Sequence, residues 1–343
     1  MKTHLNTLFV MTQGAYLRKQ SDAVVVRVEK KDVFRVPLLN LDGIVCFGRV
    51  SVSPFLLGAC ADRGLSVSLM TRYGRLMASV NGFTRGNVLL RREQYRRADV
   101  PELAASLARS CVIGKLANFR TLLRRAARET KQGESKEKLS TAARRIAQTV
   151  KRLATPETLD VIRGIEGDAS RVYFSVFDHL IRRDDDDFRF TVRSRRPPKD
   201  AINAMLSFAY ALLSHDVRSA CEAAGLDAAV GCLHRDRPGR PGLALDLMEE
   251  LRPVIVDRVV LSLVNRRQVH SSGFTTEPTG GVRMDDKTRK LLLAEYQKRK
   301  QEEITHPFLD ERMSLGLVPH LQARLYARVL RDDLDAYPPF AWR

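Results

Sequence analysis

Ala23-Val24-Val25-Val26-Arg27-Val28-Glu29-Lys30-Lys31-Asp32-Val33-Phe34-Arg35-Val36 decides how the N-terminal part of the chain folds. Val24, Val26 and Val28 alternate with other residues, the period-two pattern of a half-buried strand. Lys30-Lys31-Asp32 is polar enough to turn the chain, and Val33 to Val36 then reads as a returning strand. Working outward, Ile44-Val45-Cys46-Phe47 is a short apolar strand after Asp42-Gly43. Ser53-Pro54 has the form of an N-cap and first helical position, and Gly64 suits the residue just past that helix. Ser66 to Met70 and Arg75 to Val80 read as two strands joined by a turn at Tyr73-Gly74. Residues 1–90 are therefore expected to form a small β-sheet domain with one internal helix.

From about Arg91 the pattern becomes helical. Leu139, Ala143, Ile146, Val150 and Leu153 form one apolar stripe, with Lys138, Arg144, Arg145, Lys151 and Arg152 largely off it. Residues 91–343 are expected to form a larger, all-α-helical domain. The fold class is thus α+β. Two loop stretches interrupt it: Asp184-Asp185-Asp186-Asp187 through Pro198, and Arg266 through Gly281.

The charge narrows the function. The chain has 343 residues, a net charge of +18 and a pI near 10.1. That excess favours a polyanionic partner, and nucleic acid fits best because the basic residues are spread along helices and loops. Arg91, Arg92, Arg96 and Arg97, with Tyr95 among them, are candidate DNA-backbone contacts. No segment reaches the ~20 apolar residues of a membrane span, and Met1 to Asn6 lacks the apolar core of a leader. Five dispersed cysteines without a C-x-x-C pair suit a reducing, cytoplasmic setting.

Chemistry concentrates at Gly231-Cys232-Leu233-His234 and Leu243-Ala244-Leu245-Asp246-Leu247-Met248-Glu249-Glu250-Leu251. One imidazole and three carboxylates sit in an otherwise apolar segment. Asp246 and Glu249, or Asp246 and Glu250, would share a helix face about 5.5 Å apart and repel by about 3 kcal/mol at an effective dielectric of 20. A divalent cation held by these oxygens and His234 would remove that cost. Alternatively, the acids point to solvent from the first turn of a helix, where its dipole favours them. Glu166, between Gly164 and Gly167, reads by itself as an ordinary acid near a helix start. Asp178-His179 and His215-Asp216 have the form of metal-phosphohydrolase dyads, a third and weaker class. No nucleophile elbow, Walker loop or dinucleotide fingerprint is present. The C-terminal Tyr337-Pro338-Pro339-Phe340-Ala341-Trp342 reads as a packed tail.

Taken in order, several stretches resemble the CRISPR-associated adaptation endonucleases, the spacer integrases. They are Gly164-Ile165-Glu166-Gly167, Arg196-Pro197-Pro198-Lys199-Asp200 through Leu213, Gly231 to His234, and Leu245 to Pro253. Leu8 to Leu17 resembles the opening strand of the same family, and the whole looks closest to its type I-C variety. The resemblance implies a homodimer joined to a small ferredoxin-like adaptation partner, acting on double- and single-stranded DNA. It also implies one Mg²⁺ or Mn²⁺ per site, held by Glu166, His234 and Glu249, with Asp246 supporting catalysis. Position 249 is commonly Asp in that family, so Glu is longer here by one methylene. Glu250 has no strong claim. The competing reading is a non-catalytic basic scaffold for nucleic acid.

Overall fold

A computed structural model describes residues 6–80, 82, 87–131, 133–183 and 186–342. The chain divides into two compact units, Met1–Arg85 and Gly86–Arg343.

The first unit holds eight strands and one helix among the described residues: β1 (Thr7–Val10), β2 (Tyr16–Gln20), β3 (Ala23–Val28), β4 (Lys31–Pro37), β5 (Gly43–Phe47), β6 (Ser51–Val52), α1 (Pro54–Asp62), β7 (Ser66–Met70) and β8 (Leu76–Val80). They form two four-stranded sheets, ordered β1-β5-β7-β8 and β4-β3-β2-β6. The β3–β4 hairpin turns at Glu29-Lys30, both with positive φ (48° and 67°), as a tight two-residue turn requires. Lys31 and Asp32 accordingly belong to β4 rather than to the turn. Val24 and Val26 of β3 and Leu17 of β2 join Ile44, Cys46 and Val67 of the other sheet in one core, which Leu56 and Cys60 of α1 complete. Val25 is buried as well, so β3 is covered on both faces, whereas Val33 and Phe34 of β4 are exposed. Ser53 caps α1 as its position implies, its Oγ accepting from Leu56 N at 3.2 Å.

The second unit is mostly helical. It contains α2 (Val88–Asp99), α3 (Pro101–Glu129), α4 (Glu134–Arg152), α5 (Leu159–Ser175), α6 (Ala201–Ala223), α7 (Gly242–Met248) and α8 (Arg258–Asn265). A two-stranded ribbon follows, β9 (Phe274–Thr276) with β10 (Val282–Met284), and then α9 (Asp286–Gln301). A second ribbon, β11 (Glu303–Thr305) with β12 (Arg312–Ser314), precedes α10 (Val318–Leu330). The ribbons are local additions to the expected helical domain, and the first occupies part of the stretch read as a loop from Arg266 to Gly281. Of the acidic run, Asp184 and Asp185 lie outside the described residues, as do Met1 to Leu5. The long α3 packs against α4 and α5, burying Leu107, Cys111, Leu116, Phe119 and Leu123. Between α7 and α8 the chain makes a π-helical turn, Arg252–Asp257. Pro253 accounts for the break: it has no N–H to donate to the Glu249 carbonyl, so regular α-helix cannot continue. Among the described residues no helix is long and apolar enough to cross a membrane. All five cysteines are buried and unpaired.

Candidate active site

The elements of the second unit surround a cleft of about 640 Å³. Glu166 reaches it from α5, His234 from the loop before α7, and Glu249 from the end of α7. None of the three acids of the apolar segment points at solvent. Asp246, Glu249 and Glu250 are 2 %, 4 % and 0 % exposed, which removes the dipole-facing alternative for them.

Each acid has a different task. Asp246 turns away from Glu249 and gathers the loop. Its Oδ2 accepts from Cys232 N at 2.6 Å and Leu233 N at 2.8 Å, and its Oδ1 from His234 N at 3.0 Å. The same Oδ1 lies 2.6 Å from His234 Nδ1. A carboxylate can only accept, so Nδ1 carries the proton, and it is Nε2 that has the lone pair in the neutral ring. Nε2 lies 3.8 Å from Glu249 Oε1, on the cleft side. Arg163 of α5 braces the loop from below, donating through Nε to Leu233 O at 2.6 Å. The loop fits because Gly231 and Gly242 meet backbone to backbone. A Cβ on Gly231 would stand 2.5 Å from the Gly242 carbonyl carbon and 2.6 Å from Asp246 Oδ2.

Glu166 and Glu249 face a common cation, the ammonium of Lys115 on α3. Lys115 Nζ pairs with Glu166 Oε1 and lies 2.6 Å from Glu249 Oε2. Ser170, one turn along α5, donates to Glu166 Oε1 at 2.8 Å. Arg252 Nε sits 3.1 Å from Glu249 Oε1. Burial alone would raise the Glu249 carboxyl, but the charges of Arg252 and Lys115 above all outweigh it and bring its pKa down to about 2. Glu249 is therefore ionised throughout the physiological range. The Arg252 guanidinium also lies 4.7 Å over the Tyr210 ring, and Tyr210 OH donates to Asp257 at 2.5 Å. Asn203, by contrast, orders the loop before α6: it donates to Val192 O at 2.8 Å and accepts from Ser194 N at 3.0 Å.

The donor set matches in kind what a hard divalent ion takes. It offers two carboxylates and one neutral imidazole nitrogen whose partner nitrogen is fixed by a further carboxylate. Glu249 Oε2 is buried and accepts no well-aligned hydrogen bond despite the nearby ammonium. Among the described residues no three His, Cys, Asp or Glu side chains are drawn tightly enough to hold an ion as they stand. Lys115 occupies the space between the two glutamates instead.

The cleft is strongly basic. Arg163, Arg195, Arg235, Arg237, Arg240 and Arg252 line it. The candidate DNA contacts Arg91, Arg92, Arg96 and Arg97 lie on α2 and none of them lines this cleft. Arg97 is bound to Glu93, Asp332 and Val329 O. The His/Asp dyads serve the scaffold. Asp178 Oδ1 accepts from Phe190 N at 2.7 Å, and Asp216 takes Tyr296 OH at 2.9 Å and Lys300 Nζ at 2.8 Å. Lys115 escaped the sequence reading, yet a clue was present. Leu107, Cys111, Lys115 and Phe119 recur every four residues, so a lysine stands in the apolar stripe of a helix.

Comparison with solved structures gives the fold first. The fold matches a CAS1 protein from Thermotoga maritima with a TM-score of 0.81 at 23% identity, over 95% of this chain and 97% of that one. It matches a casposase bound to integration product with a TM-score of 0.82 at 20% identity, over 98% and 93%. The family profile described as CRISPR associated protein Cas1 matches residues 8–298, and this chain belongs to that family. CRISPR-associated endonuclease Cas1 1 of Chlorobaculum tepidum is 53% identical over the full length of both chains. CRISPR-associated endonuclease Cas1 2 of Rhodospirillum rubrum is 50% identical, again over all of both.

Proposed function

We propose that this protein is a divalent-metal-dependent DNA endonuclease and integrase of CRISPR spacer acquisition. The observation that carries the proposal is the convergence of Glu166, His234 Nε2 and Glu249 in a cleft lined by six arginines. Acids gathered in so basic a cleft favour a substrate that is itself anionic together with a cation to bridge the two. Glu166, His234 and Glu249 would hold Mg²⁺ or Mn²⁺. Such an ion, when bound, polarises a phosphoryl oxygen and stabilises charge on the attacking or leaving oxygen. In integration a DNA 3′-hydroxyl oxygen bonds to phosphorus while the bond to the leaving 3′ oxygen breaks. The proton of the attacking hydroxyl is transferred to the leaving oxygen through solvent. With water attacking, the same site cuts.

The protein's own groups set the stage for this. Asp246 keeps His234 in the tautomer that presents a bare Nε2. Arg252 keeps Glu249 ionised, and the cleft arginines hold backbone phosphates without reading sequence. The relatives named as endonucleases and the structure titled a Cas6-RT-Cas1–Cas2 complex support DNA as substrate. The Cas1–Cas2 complex also favours assembly with a partner protein, which the family resemblance makes a small ferredoxin-like protein joined to a homodimer of this chain.

Glu166→Ala, His234→Ala and Glu249→Ala are each expected to reduce strand joining and nicking by a hundredfold or more while leaving DNA affinity within about threefold. Gel-based strand-transfer assays and anisotropy measure the two. Full activity in any variant, or in excess chelator, overturns the proposal. Intact DNA binding without Mn²⁺ uptake by the wild type would favour the scaffold reading.

A further inference from the structure

Glu250, next to Glu249 just past the end of α7, is the anchor of the C-terminal tail. Its Oε1 accepts from Tyr337 OH at 2.6 Å and Gln322 Nε2 at 2.9 Å, and its Oε2 from Phe340 N at 2.7 Å. Asn118 of α3 joins the same three parts. It donates to Glu250 O and to Phe340 O, both at 2.7 Å, and its Oδ1 accepts from Trp342 N at 2.7 Å. Gly114, one turn before Asn118, lets the tail approach. A Cβ there would stand 2.8 Å from Pro339 Cβ and 3.1 Å from Glu250 Cβ. Beyond it the Arg258 guanidinium lies 4.4 Å over the Trp342 ring.

The same two elements carry the acidic centre. Lys115 follows Gly114 on α3, and Glu249 precedes Glu250. Tail and centre thus meet at neighbouring residues of α3 and of the end of α7. We propose that the docked tail, Tyr337–Trp342, is a positioning element of the acidic centre: by holding Glu250 and Asn118 it fixes where Glu249 and Lys115 stand relative to Glu166. In its bearing on metal affinity this rests on the reading of Glu166, His234 and Glu249 as ligands, but the geometry of the Lys115 cluster does not.

The test uses full-length Tyr337→Phe, which removes one grip on Glu250, and Gly114→Ala, which pushes against Pro339. Two quantities are measured: the Mn²⁺ dissociation constant by calorimetry, and the acetylation rate of Lys115 by mass spectrometry. Lys300, equally buried but paired with Asp216, is the internal control. Expected are about a tenfold weaker Mn²⁺ affinity and a several-fold faster labelling of Lys115 with Lys300 unchanged. Unchanged Mn²⁺ affinity, or equal acceleration of both lysines, overturns the proposal whatever happens to the melting temperature, because the tail then only adds stability. If the wild type takes up no Mn²⁺, the metal reading falls and the labelling decides alone. A selective rise at Lys115 upholds the tail's role, and its absence removes it.

Discussion

At the scale of single residues, Lys115 has the largest consequence. Two carboxylates that would repel each other are held together by one buried ammonium, and with Arg252 beside Glu249 the site is neutralised internally. Removing one member of a buried ion cluster leaves uncompensated charge, which typically costs about 3–5 kcal/mol. Lys115→Met is therefore expected to lower stability by about 3 kcal/mol. It is also expected to gain more from added Mn²⁺ than the wild type does, since a divalent ion then takes over the missing charge. Urea unfolding with and without Mn²⁺ measures both, and an equal Mn²⁺ increment in the two proteins would contradict the account. Glu166 stood out only through the family resemblance, but the acids of residues 243–251 were legible in the sequence as chemistry, because carboxylates in an apolar segment demand a partner. Their separate roles were not. Asp246 and Glu249 share a helical spacing, and only the position of the Gly231–His234 loop shows that Asp246 serves His234. Glu250 looked dispensable because the segment it anchors lies far along the chain.

At the scale of elements, the π-helical turn Arg252–Asp257 sets the wall of the cleft. Such turns concentrate where a helix must present side chains off its regular faces. Here the turn lets Arg252 fold back on Glu249 while Asp257 reaches Tyr173 OH at 2.8 Å and Tyr210 OH at 2.5 Å. Burial pushes the Asp257 carboxyl up to about 6, against the two tyrosine hydrogen bonds and the nearby Arg252 and Arg193. The folded value exceeds the ordinary 3.8. The stability contribution is thus complete below about pH 4 and is lost as pH rises through 6. Relative to Asp257→Asn, the wild type should lose about 3 kcal/mol between pH 4 and pH 7. Denaturant midpoints of the two proteins across that range test this, and parallel curves would refute it. Strand alternation, the Ser53-Pro54 cap and the apolar helical stripe all declared themselves locally, so most of the fold was readable. The π turn was announced only by Pro253, and the ribbons β9–β10 and β11–β12 are too short for any periodicity to register.

At the scale of the whole molecule, the net charge of +18 finds an organised expression in the arginines of the cleft. Phosphate contacts release counterions, so the logarithm of the affinity falls linearly with log salt, with a slope of about 0.9 per phosphate neutralised. Arg237→Ala, which alters a cleft arginine, is expected to reduce that slope by about 1 on any DNA sequence. Anisotropy titrations at several salt concentrations measure it. An unchanged slope would mean that Arg237 meets no phosphate. Composition alone made nucleic acid the favoured partner but could not say where it binds. The Arg91–Arg97 cluster was conspicuous because its members adjoin in sequence, whereas folding brings Arg163, Arg195 and Arg252 to the Arg235–Arg240 stretch.

The backbone contact between Gly231 and Gly242 has a bearing on how the chain can vary. Any side chain at 231 would collide with the main chain of 242 and with the carboxylate of Asp246, displacing the loop that presents His234. A position with no functional group is thereby as unforgiving as the residues that carry the reaction. Intolerance to mutation in this protein marks the joints that aim its chemistry as well as the atoms that perform it.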